Sequence, residues 1–520
     1  MNLLFLTALL LQADPPRAMD VVIRDVTLHD GSGKPGVKGN IALAGEKIVA
    51  VGMFEIVGKP LVIDGTGLIA APGFIDLHTH CDTGSPSLTD ATGKANRCYL
   101  MQGVTLAVTG NCGMGPTDVK EFFGKLEKNG VGTNVIHQVP HNNIRSKVMG
   151  NANRAPNTEE LGKMETLVEQ QMKDGCWGLS TGLIYTPGTY SKTEEIIALA
   201  KVAAKEGGFY ASHIRDENVQ HLAAIEEAIR IGKEGGLPVH ISHIKCSGKN
   251  AWGNSGQAIG LIEKARRDGL VVTADQYPYV ASSTSLAATV IPTRFREGTS
   301  KEYIARLDDP EVGPKIRQAI ENTIKTKSLA VQVARYKPNP KWQGRTISAI
   351  AEAEKKTPVE IVLEIERNGG ASIVNFGMSE EDVRLYMKQP FVATASDGSS
   401  QVAGDTVPHP RSYGTFPRKI GRYSIDDGIL PLEQAIRSAS GLPADILRLS
   451  DRGYLKPGYF ADIVVFDPKT YRDRATFEKP HQEATGVRFL FVNGERVIDN
   501  GKYLDVLAGR PLRHEGPKSK

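Results

Sequence analysis

Disulfide chemistry is nearly absent from this chain. Five cysteines in 520 residues is an odd number and too few to frame a fold of this length, so the cores must come from apolar burial, for which a 40% hydrophobic content is enough. Charge of one sign is also lacking. With 63 basic and 59 acidic residues the net charge is only +4, and no dense Lys/Arg run with interleaved aromatics occurs, which removes nucleic acid as an expected partner. No apolar run approaches the ~20 residues of a membrane helix. The longest, residues 3–11, precedes Gln12-Ala13 and Asp14-Pro15-Pro16 and fits a secretory h-region cleaved after Ala13. Residues 1–18 therefore read as signal peptide and linker, the mature chain as an exported (periplasmic or secreted) protein free of the membrane, or a cytoplasmic one where that segment does not act as a signal. No cysteine follows the run, which argues against a lipid-anchored form.

What the chain does have is a repeated placement of metal-ligand residues. Gly73-Phe74-Ile75-Asp76-Leu77 ends in His78-Thr79-His80. Residues i and i+2 of a strand share a face, so both imidazoles leave the strand end together, and neutral imidazole suits zinc and related ions. Four more short apolar or β-branched runs end alike: 104–109 before Gly110-Asn111-Cys112-Gly113, 208–212 before His213, 238–242 before His243, and 391–396 before Asp397. Five strand ends with ligand chemistry imply parallel strands converging at one face, the property of a (β/α)8 barrel. The segments 193–206, 217–234 and 256–268 repeat apolar residues at helical spacing, with Gly207, Gly235 and Gly269 as stops.

Strands are expected at 73–77, 104–109, 132–139, 177–181, 208–212, 238–242, 270–274 and 391–396. Residues 371–376 also read as a strand, without a slot in the barrel. The Lys-, Arg- and Pro-rich stretch at about 291–350 reads as a small insertion or lid before the last barrel strand. Residues 19–70 and the region from 441 to 520 alternate and turn like short strands, Asn493-Gly494 being a hairpin turn. The expected architecture is a TIM-like barrel over 71–440 flanked by one β-sandwich domain built from both termini. Of the cysteines, Cys112 is placed for metal, while Cys81, Cys98, Cys176 and Cys246 read as free thiols.

These motifs resemble a family. The Gly-Phe-Ile-Asp-Leu-His-Thr-His opening, the split β domain and the terminal Asp are those of the amidohydrolase superfamily. Gly-Asn-Cys-Gly, Ser-His-Ile-Arg-Asp-Glu at 212–217, Ile-Ser-His-Ile-Lys at 241–245, Tyr-Pro-Tyr at 277–279 and His-Pro-Arg-Ser-Tyr-Gly-Thr-Phe-Pro-Arg at 409–418 resemble the N-acyl-D-amino-acid deacylases within it. The resemblance implies zinc at His78, His80, Cys112, His213, His243 and Asp397, with one ion held tightly by the cysteine and the two later histidines and a weaker position at His-x-His. It also implies an N-acyl amino acid as small-molecule substrate, its carboxylate met by Lys245, Tyr277 and Arg411. Tyr279 is an alternative to Tyr277, since alternate residues share a face.

Asp397 is the expected general base and acid. A carboxylate can accept the proton of a metal-activated water and return it to the leaving amine; the alternative for this residue is a helix N-cap in Ser-Asp-Gly-Ser-Ser. Many superfamily members bridge two metals with a carboxylated lysine on the fourth strand, and Trp177-Gly178-Leu179-Ser180-Thr181 has none. That absence, with Cys112 present, counts against a dihydroorotase-, hydantoinase- or isoaspartyl-dipeptidase-like activity. The six filled ligand positions count against a noncatalytic scaffold.

Overall fold

The computed structural model describes residues 19–327 and 330–516; the apolar segment 3–11 and the expected cleavage point lie outside them. Eight parallel strands form the barrel: β1 (Phe74–Asp76), β2 (Val104–Thr109), β3 (Asn134–His137 continuing as Val139–Pro140), β4 (Gly178–Gly182), β5 (Phe209–His213), β6 (Val239–Ile241), β7 (Val272–Gln276) and β8 (Val392–Thr394). The last strand returns to the first just above the ladder: the Asp397 amide donates to the His78 carbonyl (2.8 Å) and the His80 amide to the Gly398 carbonyl (2.7 Å). Closure of the barrel thus occurs at the ligand residues themselves. A second clasp is Asp76, whose buried carboxylate accepts from the His78 amide at 3.1 Å and the Ser396 amide at 3.0 Å.

Helices Thr193–Lys205, His221–Gly235 and Ser255–Arg267 cover the strands as the apolar periodicity requires. The second stop falls at Gly236 (φ 76°) rather than Gly235, because Gly235 is still helical and packs where a Cβ would meet that of Ala200 at 2.8 Å. Helix Gly441–Leu447 buries Leu442, Ala444 and Leu447 in one cluster with Ile75, Leu77 and Ala393, so packing on the barrel runs past residue 440.

Two features differ from expectation. The insertion is larger than 291–350: Ser282–Ser285, Val331–Arg335 and Ser372–Asn375 make a three-stranded antiparallel sheet, which gives the strand expected at 371–376 its place. This unit has its own core, including Leu286, Trp342, Ile350, Ile361 and Ile373. Apart from Gly313–Lys327, its helices are too short for periodicity to show; Ser300–Leu307 and Pro358–Arg367 are instead set by capping boxes, Thr299 with Glu302 and Thr357 with Glu360. The flanking domain, in turn, is one continuous nine-stranded sheet rather than two separate ones. Strand Val21–Leu28 pairs first with Leu61–Asp64 and then with Ile69–Pro72, changing partner beside a bulge where Asp25 takes φ 57°. The two termini join where Ile463–Phe466 runs antiparallel to Ile69–Pro72.

Candidate active site

Cys112 sits at the centre of the ligand cluster. Its Sγ lies 3.3 Å from His78 Nε2, 3.5 Å from His243 Nε2 and 3.6 Å from His213 Nδ1. Local backbone aims it there: Gly110 turns the chain after β2, and Cys112 itself is left-handed (φ 54°). A Cβ on Gly182, at the end of β4, would come within 2.2 Å of the Cys112 carbonyl oxygen, so only glycine lets that strand pass. His243 (φ 36°) and Asp397 (φ 52°) are also left-handed. Three strained ligand residues around one point are what a functional constraint, rather than packing, retains.

Asp397 lies three residues beyond β8, and the next helix begins at Arg411, so it caps no helix. Its Oδ1 is 3.1 Å from His80 Nε2 and 3.6 Å from His78 Nε2, and its Oδ2 is 2.8 Å from an Arg411 terminal nitrogen. Burial alone would raise this carboxyl, but Arg411, then the imidazoles of His243, His80 and His78, outweigh it and hold it well below the usual carboxylate range. The potential ligand atoms fall into three overlapping sets: His78 with Cys112 and His243, His78 with His80 and Asp397, and His213 with Glu217 and His243. All six residues expected as ligands are brought together, and His78 and His243 each belong to two sets.

The protonation chemistry fits a metal. Burial pushes His78 down to about 4, against the opposing pull of Asp275, and pushes His213 well below its ordinary value. Both rings are therefore neutral, the form that coordinates. Burial pushes the Cys112 thiol up, and Asp397 adds to it, so the sulfur becomes a thiolate here only with a cation to compensate it. A thiolate among imidazoles and a carboxylate is a zinc donor set. Behind it stands Asp275 on β7, which accepts from the His243 amide at 2.6 Å and pairs with His240 Nε2 at 2.7 Å. It orients the ligand residues as an outer carboxylate does in metal sites.

Beside the cluster opens a cavity of about 650 Å³ between the barrel mouth and the insertion, lined on the barrel side by Tyr185, His213, Glu217, Lys245, Tyr277 and Asp397. Tyr277 and Tyr279 separate cleanly. The Tyr277 ring faces the cavity with the Arg411 guanidinium 4.8 Å away, whereas Tyr279 packs against Arg418 and Phe477 away from it. Lys245 Nζ is held by Glu217 and by His243, 2.8 Å from its Nδ1 and 2.9 Å from its carbonyl. Arg411 is held by Asp397. The two cationic members of the expected carboxylate-binding set thus sit beside the cluster, each against an acidic residue.

Sequence reasoning missed Glu217, Asp275 and Tyr185. Glu217 Oε1 lies 3.4 Å from His243 Nδ1 and 3.6 Å from His213 Nε2; the Tyr185 ring stands edge-on to His213 at 4.9 Å. An acid inside the apolar run Val272-Thr273-Ala274-Asp275 was the signal for Asp275, since charged residues in a doubly covered strand are buried only with partners.

Residues 61–498 match the amidohydrolase family. A D-aminoacylase of Alcaligenes xylosoxydans xylosoxydans is 35% identical over 518 residues, 95% of this chain and 97% of the relative. The chain belongs to the amidohydrolase family. Among solved structures, this amidohydrolase superposes with a TM-score of 0.80 and 32% identity on a D-aminoacylase with a binuclear metal centre, described as activated by one metal and attenuated by the second; 95% of this chain and all of that one are covered. An N-acyl-D-glutamate deacylase from Bordetella bronchiseptica, complexed with zinc and a phosphonate mimic of the tetrahedral intermediate, also gives 0.80, at 29% identity over 96% of this chain and all of that one.

Proposed function

We propose that this amidohydrolase hydrolyses the amide bond of N-acyl-D-amino acids to a carboxylate and a free D-amino acid, with zinc held by His78, His80, Cys112, His213, His243 and Asp397. The observation that supports this reading best is one thiol facing three buried imidazoles at the mouth of a barrel, next to a cavity that Lys245 and Tyr277 line. Zinc bound there lowers the pKa of a water toward about 7 and polarises a carbonyl. Asp397 takes the water proton on its carboxylate and returns it to the leaving amine; the ion pair to Arg411 keeps it ionised at working pH. Lys245, Tyr277 and Arg411 receive the α-carboxylate, Arg as a fork and Lys as a point charge. Glu217 and Asp397 keep these cations in place between turnovers. A hydantoinase-like activity lacks support, since β4, Gly178-Leu179-Ser180-Thr181-Gly182, has no lysine and Cys112 lies beside its end.

A panel of N-acetyl-D- and L-amino acids with dihydroorotate, given to zinc-loaded protein, tests the reading. Hydrolysis of the D series is expected; turnover of dihydroorotate or of the L series alone overturns it. The carboxylate subsite has its own test. Arg411→Ala removes a buried fork, a loss of about 2 to 5 kcal/mol expected on the N-acyl-D-amino acid beyond any loss on the matching amide. Because Arg411 also holds Asp397, part of the loss will be common to both substrates. Equal losses on acid and amide would assign Arg411 to Asp397 alone.

A further inference from the structure

The turn that carries Cys112 leaves β2 before the ladder between β1 and β2 is complete. The Thr79 amide donates to the Val108 carbonyl at 3.0 Å, and in a parallel pair the Thr79 carbonyl would next receive the Gly110 amide. That amide goes elsewhere: the chain bends at Gly110 (φ 76°), and its N–H donates to Asp82 Oδ2 at 3.0 Å. A backbone carbonyl left unpaired in this buried place would be costly. The Asn111 side chain fills the gap. Its Nδ2 lies 3.0 Å from the Val108 carbonyl oxygen, 3.3 Å from that of Leu77 and 3.4 Å from that of Thr79, and Leu77 and Thr79 are the residues on either side of His78. Its Oδ1 accepts from Gln138 Nε2 at 2.7 Å, at the break in β3.

One buried amide therefore joins the ends of three strands, and it stands between two metal-ligand residues, His78 and its own neighbour Cys112. Asparagine suits the place because it donates from one atom and accepts at the other. The far side of the turn is braced by Ser180 on β4, whose hydroxyl accepts from the Gly113 amide at 3.1 Å and donates to the Gly110 carbonyl. A left-handed cysteine persists only where its surroundings over-determine it. These bonds supply that constraint, and with them Sγ is held 3.3 Å from His78 Nε2.

We infer that Asn111 is a positioning residue for the metal centre: through the carbonyls flanking His78 it holds the Cys112 turn against the His-x-His strand end, and so sets the affinity for zinc at the position that His78, Cys112 and His243 share. This rests on the metal assignment given above, and its test needs no substrate.

The dissociation constant for zinc, read by competition with a chelator, is compared between the unmodified protein, Asn111→Ala and Leu126→Ala. Asn111→Ala should raise Kd by about 10- to 100-fold, the cost of losing an outer partner of a metal ligand, and should weaken the thiolate-to-metal charge-transfer band of the cobalt-loaded protein. Leu126, buried on the helix Val119–Asn129, gives the comparison: its truncation also empties core volume but should leave Kd within about threefold and the cobalt band unchanged, since no outer partner of a ligand is lost. Gln138→Leu frees only the far end of the Asn111 amide and leaves the carbonyls their donor. It should raise Kd in the same direction by a smaller factor, and it carries the test where Asn111→Ala does not fold. A Kd within about threefold of the unmodified value in the folded variants at Asn111 and Gln138, well short of the loss of an outer partner, overturns the inference, as does an equal rise in Leu126→Ala; either leaves the deacylase reading intact. An unmodified protein that binds no zinc overturns the metal assignment as well.

Discussion

Asp397→Asn should lower kcat by about 10²- to 10⁴-fold, the range for loss of a general acid–base group, with zinc content close to that of the unmodified protein. The amide keeps the shape and can still place its oxygen beside Arg411, but it cannot take a proton. The neighbours make this a clean substitution on one side and a demanding one on the other. Oδ1 faces His80 at 3.1 Å and Oδ2 faces Arg411 at 2.8 Å, so the carboxylate is fixed from both sides and water cannot replace it without losing both contacts. Arg411, however, is buried, and neutralising its partner leaves a positive charge uncompensated beside the substrate site. Binding of the anionic substrate should therefore hold or tighten while turnover collapses. The measurement is kcat and KM on an N-acetyl-D-amino acid with metal analysis of the same sample. A loss under threefold with zinc intact would move the base to another residue, and Glu217, the other carboxylate lining the cavity near the imidazoles, would be the next to test.

The ligand set was legible in the sequence because each member follows a short apolar run at the end of a parallel strand, and parallel strands in a barrel put their ends on one face. His213 ends its strand and His243 lies two residues past its own, so local order alone placed them. Asp397 was legible by the same logic even though it competed with a capping role. What stayed hidden depends on contacts far apart in the chain. The choice between Tyr277 and Tyr279 is made by Arg418 and Phe477, which hold Tyr279 buried away from the cavity, and nothing in Tyr-Pro-Tyr announces it. Glu217 lies in the loop between β5 and the helix that starts at His221, where period carries no meaning. The insertion's strands are separated by about 46 and 37 residues in sequence, and a sheet of that kind is set by long-range pairing.

The largest effect on the protein's metal content should come from Cys112→Ala. Sγ is the atom from which three imidazole nitrogens are within 3.6 Å; the remaining cysteines are buried elsewhere, Cys81 beside Asn96 and Cys246 beside His221 and Tyr386. Removing the thiolate leaves neutral rings and the carboxylates to hold a dication, so zinc affinity should fall by more than the roughly 10- to 100-fold that loss of an outer partner costs, and turnover with it. Folding should survive. Alanine meets the same left-handed backbone as cysteine, adding no strain that the residue does not already bear, and it leaves the Gly182 passage untouched. His80→Ala should be the mild comparison, because His80 belongs only to the set with His78 and Asp397 and is the most exposed of the histidine ligands, its side chain 16% accessible. His78→Ala should fall between, since His78 serves that set and the Cys112 set together. Zinc per chain after dialysis, read beside circular dichroism and activity, orders the three variants. A Cys112→Ala protein that keeps its zinc and turns over at the unmodified rate would remove the thiol from the centre, and a His80→Ala protein poorer in zinc than Cys112→Ala would reverse which position holds the metal tightly.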